Sequence, residues 1–88
     1  MEVIVTAQFA RDVRKELSKQ FQEQLADIIM QMENAANLQE IPGIKKLKGY
    51  KTAYRIKMDA YRIGFVLDGN KAIMSRVMHR KEIYRYFP

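Results

Sequence analysis

The chain has 88 residues, one histidine, no cysteine and a formal net charge of +6. That length makes a single domain, residues 1–88, which buries roughly 60–65% of its unfolded surface, so any site lies on the surface or in a shallow groove rather than in a deep cofactor cavity. The missing cysteines exclude disulfides and thiolate metal sites, and one histidine cannot build a usual zinc site, so neither metal nor cofactor is expected.

Met1–Ala7 reads as a strand because Val3 and Val5 alternate with Ile4 and Thr6 and β-branched residues dominate. The apolar run there is too short for a signal peptide and lacks a basic start, and nothing approaches the ~20 apolar residues of a membrane span. A cytoplasmic address with no membrane partner is the expectation. A helix follows from about Phe9 to Lys19, with Phe9, Val13 and Leu17 on one face. A second helix runs from about Phe21 to Ala36, burying Leu25, Ile28, Ile29 and Met32 and exposing Glu23, Asp27 and Glu33. Ser18 is the best candidate for a cap or bend between them.

Asn37–Gly43 holds Asn, Pro and Gly without periodicity and reads as a connection. The period then changes to two. Tyr54, Ile56 and Met58 alternate with Arg55, Lys57 and Asp59; Tyr61, Ile63, Phe65 and Leu67 alternate with Arg62, Gly64 and Val66. Asp68-Gly69-Asn70 signals a hairpin. The last strand, about Lys71–Met78, places Ile73, Ser75 and Val77 on one face and Met74, Arg76 and Met78 on the other. The expected fold is α+β, in the order β-α-α-β-β-β: one antiparallel sheet with two helices packed on one face.

Charge is segregated. Residues 1–44 hold four basic and seven acidic side chains, while residues 45–88 hold twelve basic and three acidic ones. A net of −3 against +9 points to a polyanion partner for the second half. Strand alternation puts Arg55, Lys57 and Arg62 on the sheet face away from the helices. Like charges there destabilise the sheet, so an anion is expected to neutralise them in use. Lys45, Lys46, Lys48 and Lys51 extend this face into a track for a phosphate backbone. The terminal VMHRKEIYRYFP adds His79, Arg80, Lys81, Tyr84 and Tyr86. Each has a plainer reading: His79 bonding backbone at a strand end, Tyr84 and Tyr86 pinning the tail, Arg76 covering the sheet between Met74 and Met78.

KLKGYKTAYRIKMDAYRIGFVL followed by VMHRKEIYR resembles the RelE/ParE superfamily of toxins from type II toxin–antitoxin pairs. The match spans almost the whole chain in size, element order, the L-K-G turn, the two Y-R-I strands and the terminal H-R-x-x-x-Y. The resemblance implies one of two activities, ribosome-dependent messenger RNA cleavage (RelE-type) or poisoning of DNA gyrase without catalysis (ParE-type). It implies a cognate antitoxin partner in a complex, with a heterotetramer among the forms such pairs take. For the RelE-type reading the ribosome and mRNA are partners as well, and the catalytic set carried over is Lys57, Arg62, Arg80 and Tyr84, with His79 added as a proton carrier. Lys46, Lys48, Lys51, Arg55, Arg76 and Lys81 would bind RNA.

The pattern departs in places. Arg80 and Tyr84 stand two residues closer than in the RelE form, Arg55 replaces a lysine, His79 is an addition, and the chain stops at Pro88 with little or no C-terminal helix. The chemistry expected is metal-free: the RNA 2′-hydroxyl attacks the adjacent phosphate and leaves a 2′,3′-cyclic phosphate and a 5′-hydroxyl. Arg62 and Arg80 suit the phosphate charge. Lys57 serves as base only where neighbouring cations make it release its proton, and Arg55 and Arg62 are such neighbours. Histidine suits proton transfer near neutrality. Tyr84 suits stacking on a splayed base. A third reading is a nucleic-acid-binding domain with no toxicity.

Overall fold

Thr6 begins the first helix. Its Oγ1 accepts from the Phe9 amide at 3.1 Å and donates to the Met74 carbonyl at 2.9 Å, so one side chain caps the helix and ties it to a distant strand. Ser18 does the corresponding work for the second helix, accepting from the Phe21 amide at 3.3 Å. In the computed structural model, which describes residues 1–88, the elements are β1 (Glu2–Val5), α1 (Ala7–Glu16), α2 (Lys19–Asn34), a 3₁₀ turn (Leu38–Glu40), β2 (Ile44–Lys46), β3 (Ala53–Met58), β4 (Tyr61–Asp68), β5 (Lys71–His79) and α3 (Ile83–Tyr86). Both long helices start two residues earlier than their apolar stripes suggest, because the caps rather than the stripes decide where the turns begin.

The five strands form one sheet in the order β1-β5-β4-β3-β2. It is α+β as expected, with α1 and α2 on one face, but the sheet is mixed. β1 runs parallel to β5, with Glu2 opposite Lys71 and Val5 opposite Met74. Parallel neighbours need a long crossover, and α1 with α2 supply it. The strand β2 is an addition: Lys45 and Lys46, read from sequence as loop, pair with Arg55 and Tyr54. Three residues are too few to show a period.

A bulge corrects the faces of β5. Phe65 lies opposite Met74 and Gly64 opposite Arg76, which leaves Ser75 without a partner. Strict alternation would set Val77 against Met74; the extra residue brings the two to the same side, both fully buried.

That side packs under the helices. Phe9, Leu17, Leu25 and Met32 meet Ile56, Met58, Ile63, Phe65, Met74 and Val77. Burying each such side chain contributes about 1.5–3 kcal/mol. The opposite side of the sheet is not bare. Ile83 and Phe87 from the C-terminal segment pack on Ala53, with Leu47, Val66 and Met78 around them. The C-terminal helix is a single turn, and it places the cations of the second half around an apolar plug.

Candidate functional site

The register across the far face decides which cations meet. Lys57 stands opposite Arg62, and Arg62 opposite Met78; Arg55 stands opposite Lys45 and Gly64. Directly opposed side chains on antiparallel strands have Cβ atoms about 4.5–5.5 Å apart. Lys57 and Arg62 are therefore forced together at the β3–β4 hairpin, with no carboxylate within ion-pairing distance of either.

The hairpin itself is shaped to hold arginine. Asp59 adopts φ 54°, a left-handed conformation that asparagine and aspartate tolerate better than most residues. Its carbonyl accepts from Arg62 Nη1 at 2.8 Å, and the Tyr61 carbonyl accepts from the same nitrogen at 2.9 Å. The next carbonyl, Ala60, accepts from the Arg80 amide at 2.8 Å. One tight turn thus fixes the Arg62 side chain and the point where the C-terminal segment leaves β5. Guanidinium has five N–H donors, so Arg62 keeps donors for an anion. Arg80 and Lys81 are exposed and carry no side-chain bond within the protein.

His79 stands in register with Tyr61, on the helix side of the sheet and at its end. Its ring meets the Tyr61 ring edge-on at 6.0 Å between centroids, and its Nδ1 accepts from the Lys81 amide at 3.1 Å. That bond assigns the neutral ring's proton to Nε2, which is left to face outward chemistry. It is also the backbone contact of the plainer reading. Tyr84 is 56% exposed on α3, as a side chain that stacks on a base has to be. Arg55 gives Nη1 to the Gly43 carbonyl and so clamps the β2 edge. Lys48 and Lys51 are exposed in the loop after that edge, but Lys46 does not extend the cationic face: in register with Tyr54, it lies on the helix side, by a shallow pocket with Leu38 and Ile44.

Arg76 does not join the free cations. Its Nε and Nη2 donate to both carboxylate oxygens of Asp12, at 2.8 and 3.1 Å, and its guanidinium lies 5.2 Å from the centre of the Tyr86 ring. Asp12 was hidden from the strand arithmetic because it belongs to α1. β1 stops at Val5, opposite Met74, so the edge of β5 beyond is open; there Asp12 also accepts the Val77 amide at 3.1 Å. Burial would raise the Asp12 carboxyl, but the Arg76 hydrogen bonds, the Val77 amide and the Gln8 amide outweigh it and hold the group below its ordinary value. The bidentate bond to Asp12 correspondingly holds the Arg76 guanidinium above its own. The signal was present in the sequence: Asp12 falls three residues after Phe9 and one before Val13, on the face that is otherwise apolar. Phe87 was missed as well, although its spacing of four from Ile83 marks a helix face.

A family model described as the ParE toxin of type II toxin–antitoxin systems, parDE, matches residues 3–84. The chain belongs to the RelE/ParE toxin superfamily. The toxin is 38% identical over 89 residues to Toxin RelE3 of Methanocaldococcus jannaschii, covering 100% of both chains. Its fold superposes on the crystal structure of a RelB–RelE antitoxin–toxin complex from Methanococcus jannaschii with a TM-score of 0.82 and 36% identity, over 97% of this chain and 99% of that one. A second complex, RelBE2 of Mycobacterium tuberculosis, matches with a TM-score of 0.72 at 20% identity over 90% and 96% of the chains, a likeness of fold. The toxin is accordingly a RelE-like member of a toxin–antitoxin pair. No helix of it is long and apolar enough to cross a membrane.

Proposed function

We propose that this toxin is a ribosome-dependent messenger RNA endonuclease that works without a metal. The observation that carries the reading is the unpaired cation cluster at the β3–β4 hairpin: Lys57 opposed to Arg62, with Arg62 and Arg80 anchored on adjacent carbonyls of one turn. Such a cluster is costly in a free protein and becomes favourable around a phosphate. Arg62 and Arg80 hold the phosphate oxygens and stabilise the charge that grows as the 2′-hydroxyl attacks. Lys57, directly opposite Arg62, is placed to receive the hydroxyl proton. A proton from water reaches the departing 5′-oxygen and Tyr84 stacks on a splayed base; His79, on the helix side of the sheet, stands apart from the Lys57–Arg62 pair. Lys48, Lys51, Arg55 and Lys81 track the backbone, and the ribosome orients the message. A RelB–RelE antitoxin–toxin complex is among the similar structures, which supports a cognate antitoxin for this toxin; the unpaired cationic face is the surface it would neutralise.

A second reading is poisoning of DNA gyrase, and what favours it is that the matching family model is named for ParE. Inducing the toxin without its partner and mapping 5′ ends of cellular messages separates the two. Cuts at a fixed codon phase, absent in Arg62→Ala/Arg80→Ala, support the nuclease. Growth arrest with intact messages and accumulating DNA breaks would replace it with the gyrase reading.

A further inference from the structure

Gly64 sits in the middle of the sheet, opposite Arg55 on β3 and Arg76 on β5. A Cβ built on it would stand 2.6–2.8 Å from Cδ2, Cγ and Cε2 of the Phe87 ring, closer than real Cβ atoms come. Its backbone is ordinary strand, so glycine is required here by room alone. Phe87 is 3% exposed, and Ile83, one helical turn earlier, is fully buried. The Phe87 amide donates to the Ile83 carbonyl at 2.9 Å, which makes the two side chains one rigid foot. Between β5 and that foot lie Arg80 and Lys81, and within it lies Tyr84; none of these three side chains has a hydrogen bond to the rest of the protein. The segment is held at its start by the Arg80 amide on Ala60 and at its end by the Phe87 ring on Gly64, with Ile83 packed on Ala53 and the Tyr86 ring under Arg76 in between.

We propose that the Gly64–Phe87 seat is a positioning device: it docks the C-terminal segment on the far face so that Arg80 and Tyr84 are presented beside Arg62 and Lys57, and toxin lacking it is folded but ineffective. The inference rests on Arg80 and Tyr84 being working residues of the toxin, while docking itself is measured apart from activity.

The test compares the full-length chain with Gly64→Ala, Phe87→Ala, the double variant and Phe87→Leu. Amide hydrogen exchange reads docking, and growth arrest after induction reads action. In Gly64→Ala and Phe87→Ala the Arg80 and Phe87 amides are expected to exchange roughly tenfold faster or more, with Ile63 and Val77 still protected. Arrest is expected to weaken about tenfold in parallel. The double variant is no worse than either single one, because both remove the same contact. Phe87→Leu keeps both docking and arrest. Unchanged tail exchange in Gly64→Ala would overturn the seat, and a released tail with full arrest would overturn its positioning role. Arrest through DNA breaks with messages intact would remove the nuclease reading yet leave this inference standing on the same two readouts.

Discussion

Arg62 and Arg80 are fastened to neighbouring carbonyls of a single turn, the Arg62 side chain to Asp59 and the Arg80 main chain to Ala60, each at 2.8 Å. The Arg62 guanidinium and the Arg80 backbone, 18 positions apart in the sequence, are thereby held around one short piece of turn. In the proposed reaction this makes a clamp for phosphate, with the Arg62 guanidinium already fixed and the free Arg80 side chain closing on it.

Removing either arginine tests the clamp. Arg62→Ala and Arg80→Ala are each expected to lower the rate of message cleavage by roughly 10²–10³, the loss typical of one preorganised donor to a developing oxyanion. Single-turnover cleavage on programmed ribosomes checks this. Thermal unfolding should stay close to that of the parent chain, since neither side chain is buried.

The clamp depends on the Asp59 carbonyl and not on its carboxylate. Asp59→Gly should therefore keep cleavage intact and raise stability by up to about 1 kcal/mol, by easing the left-handed backbone. Asp59→Val should lower stability by about 1–2 kcal/mol and impair cleavage, because a β-branched residue resists positive φ. Urea unfolding run beside the cleavage assay gives both numbers.

Asp12 serves a different end. It accepts from Arg76, from the Val77 amide and from Gln8 while almost wholly buried. Asp12→Ala leaves Arg76 and an edge amide unpaired and should cost about 2–4 kcal/mol in urea unfolding. The acid limb carries a second signature. The folded carboxyl is depressed relative to the unfolded chain, so its contribution is whole above the unfolded value near ~3.9 and is lost as pH falls through the lower folded value. Asp12→Asn should flatten that part of the stability–pH curve.

Lysines on a phosphate track are expected to contribute affinity without readout. Binding of single-stranded RNA should weaken linearly in log–log terms with salt, and each of Lys48, Lys51 and Lys81 changed to alanine should reduce the slope by about 0.7. A residue whose removal leaves the slope unchanged is not on the track. Arg76→Ala is expected to leave the slope unchanged, since Asp12 already holds it.

Much of this was legible in the residues. The alternation of Tyr54, Ile56, Ile63 and Phe65 against Arg55, Lys57 and Arg62 placed each on its observed face, and Ser18 was recognised as the break between helices. What escaped were relations that periodicity does not carry. The bulge at Ser75 reverses the faces beyond it, and the glycine that marks it, Gly64, stands on the neighbouring strand. The parallel pairing of β1 follows from chain path, not composition. Arg76 looked like any other strand cation because its partner lies 64 residues away, and the tail's anchor was sought in Tyr84 and Tyr86 because its apolar foot, Ile83 and Phe87, is spread among exposed tyrosines and arginines.

The parallel pair β1–β5 sets a schedule. Residues 2–5 leave the ribosome first, yet their partners, residues 71–74, are made after most of the chain. Contacts of such sequence separation form late, after the loop-closure cost has been met. Synthesis at ~5–20 residues per second keeps the nascent chain waiting for seconds with its first strand unpaired. The hairpin β3–β4 can form during that wait, but the edge of β5, the Asp12–Arg76 bridge and the docked tail cannot. A fold built this way closes its sheet edge only after its last strand has been made.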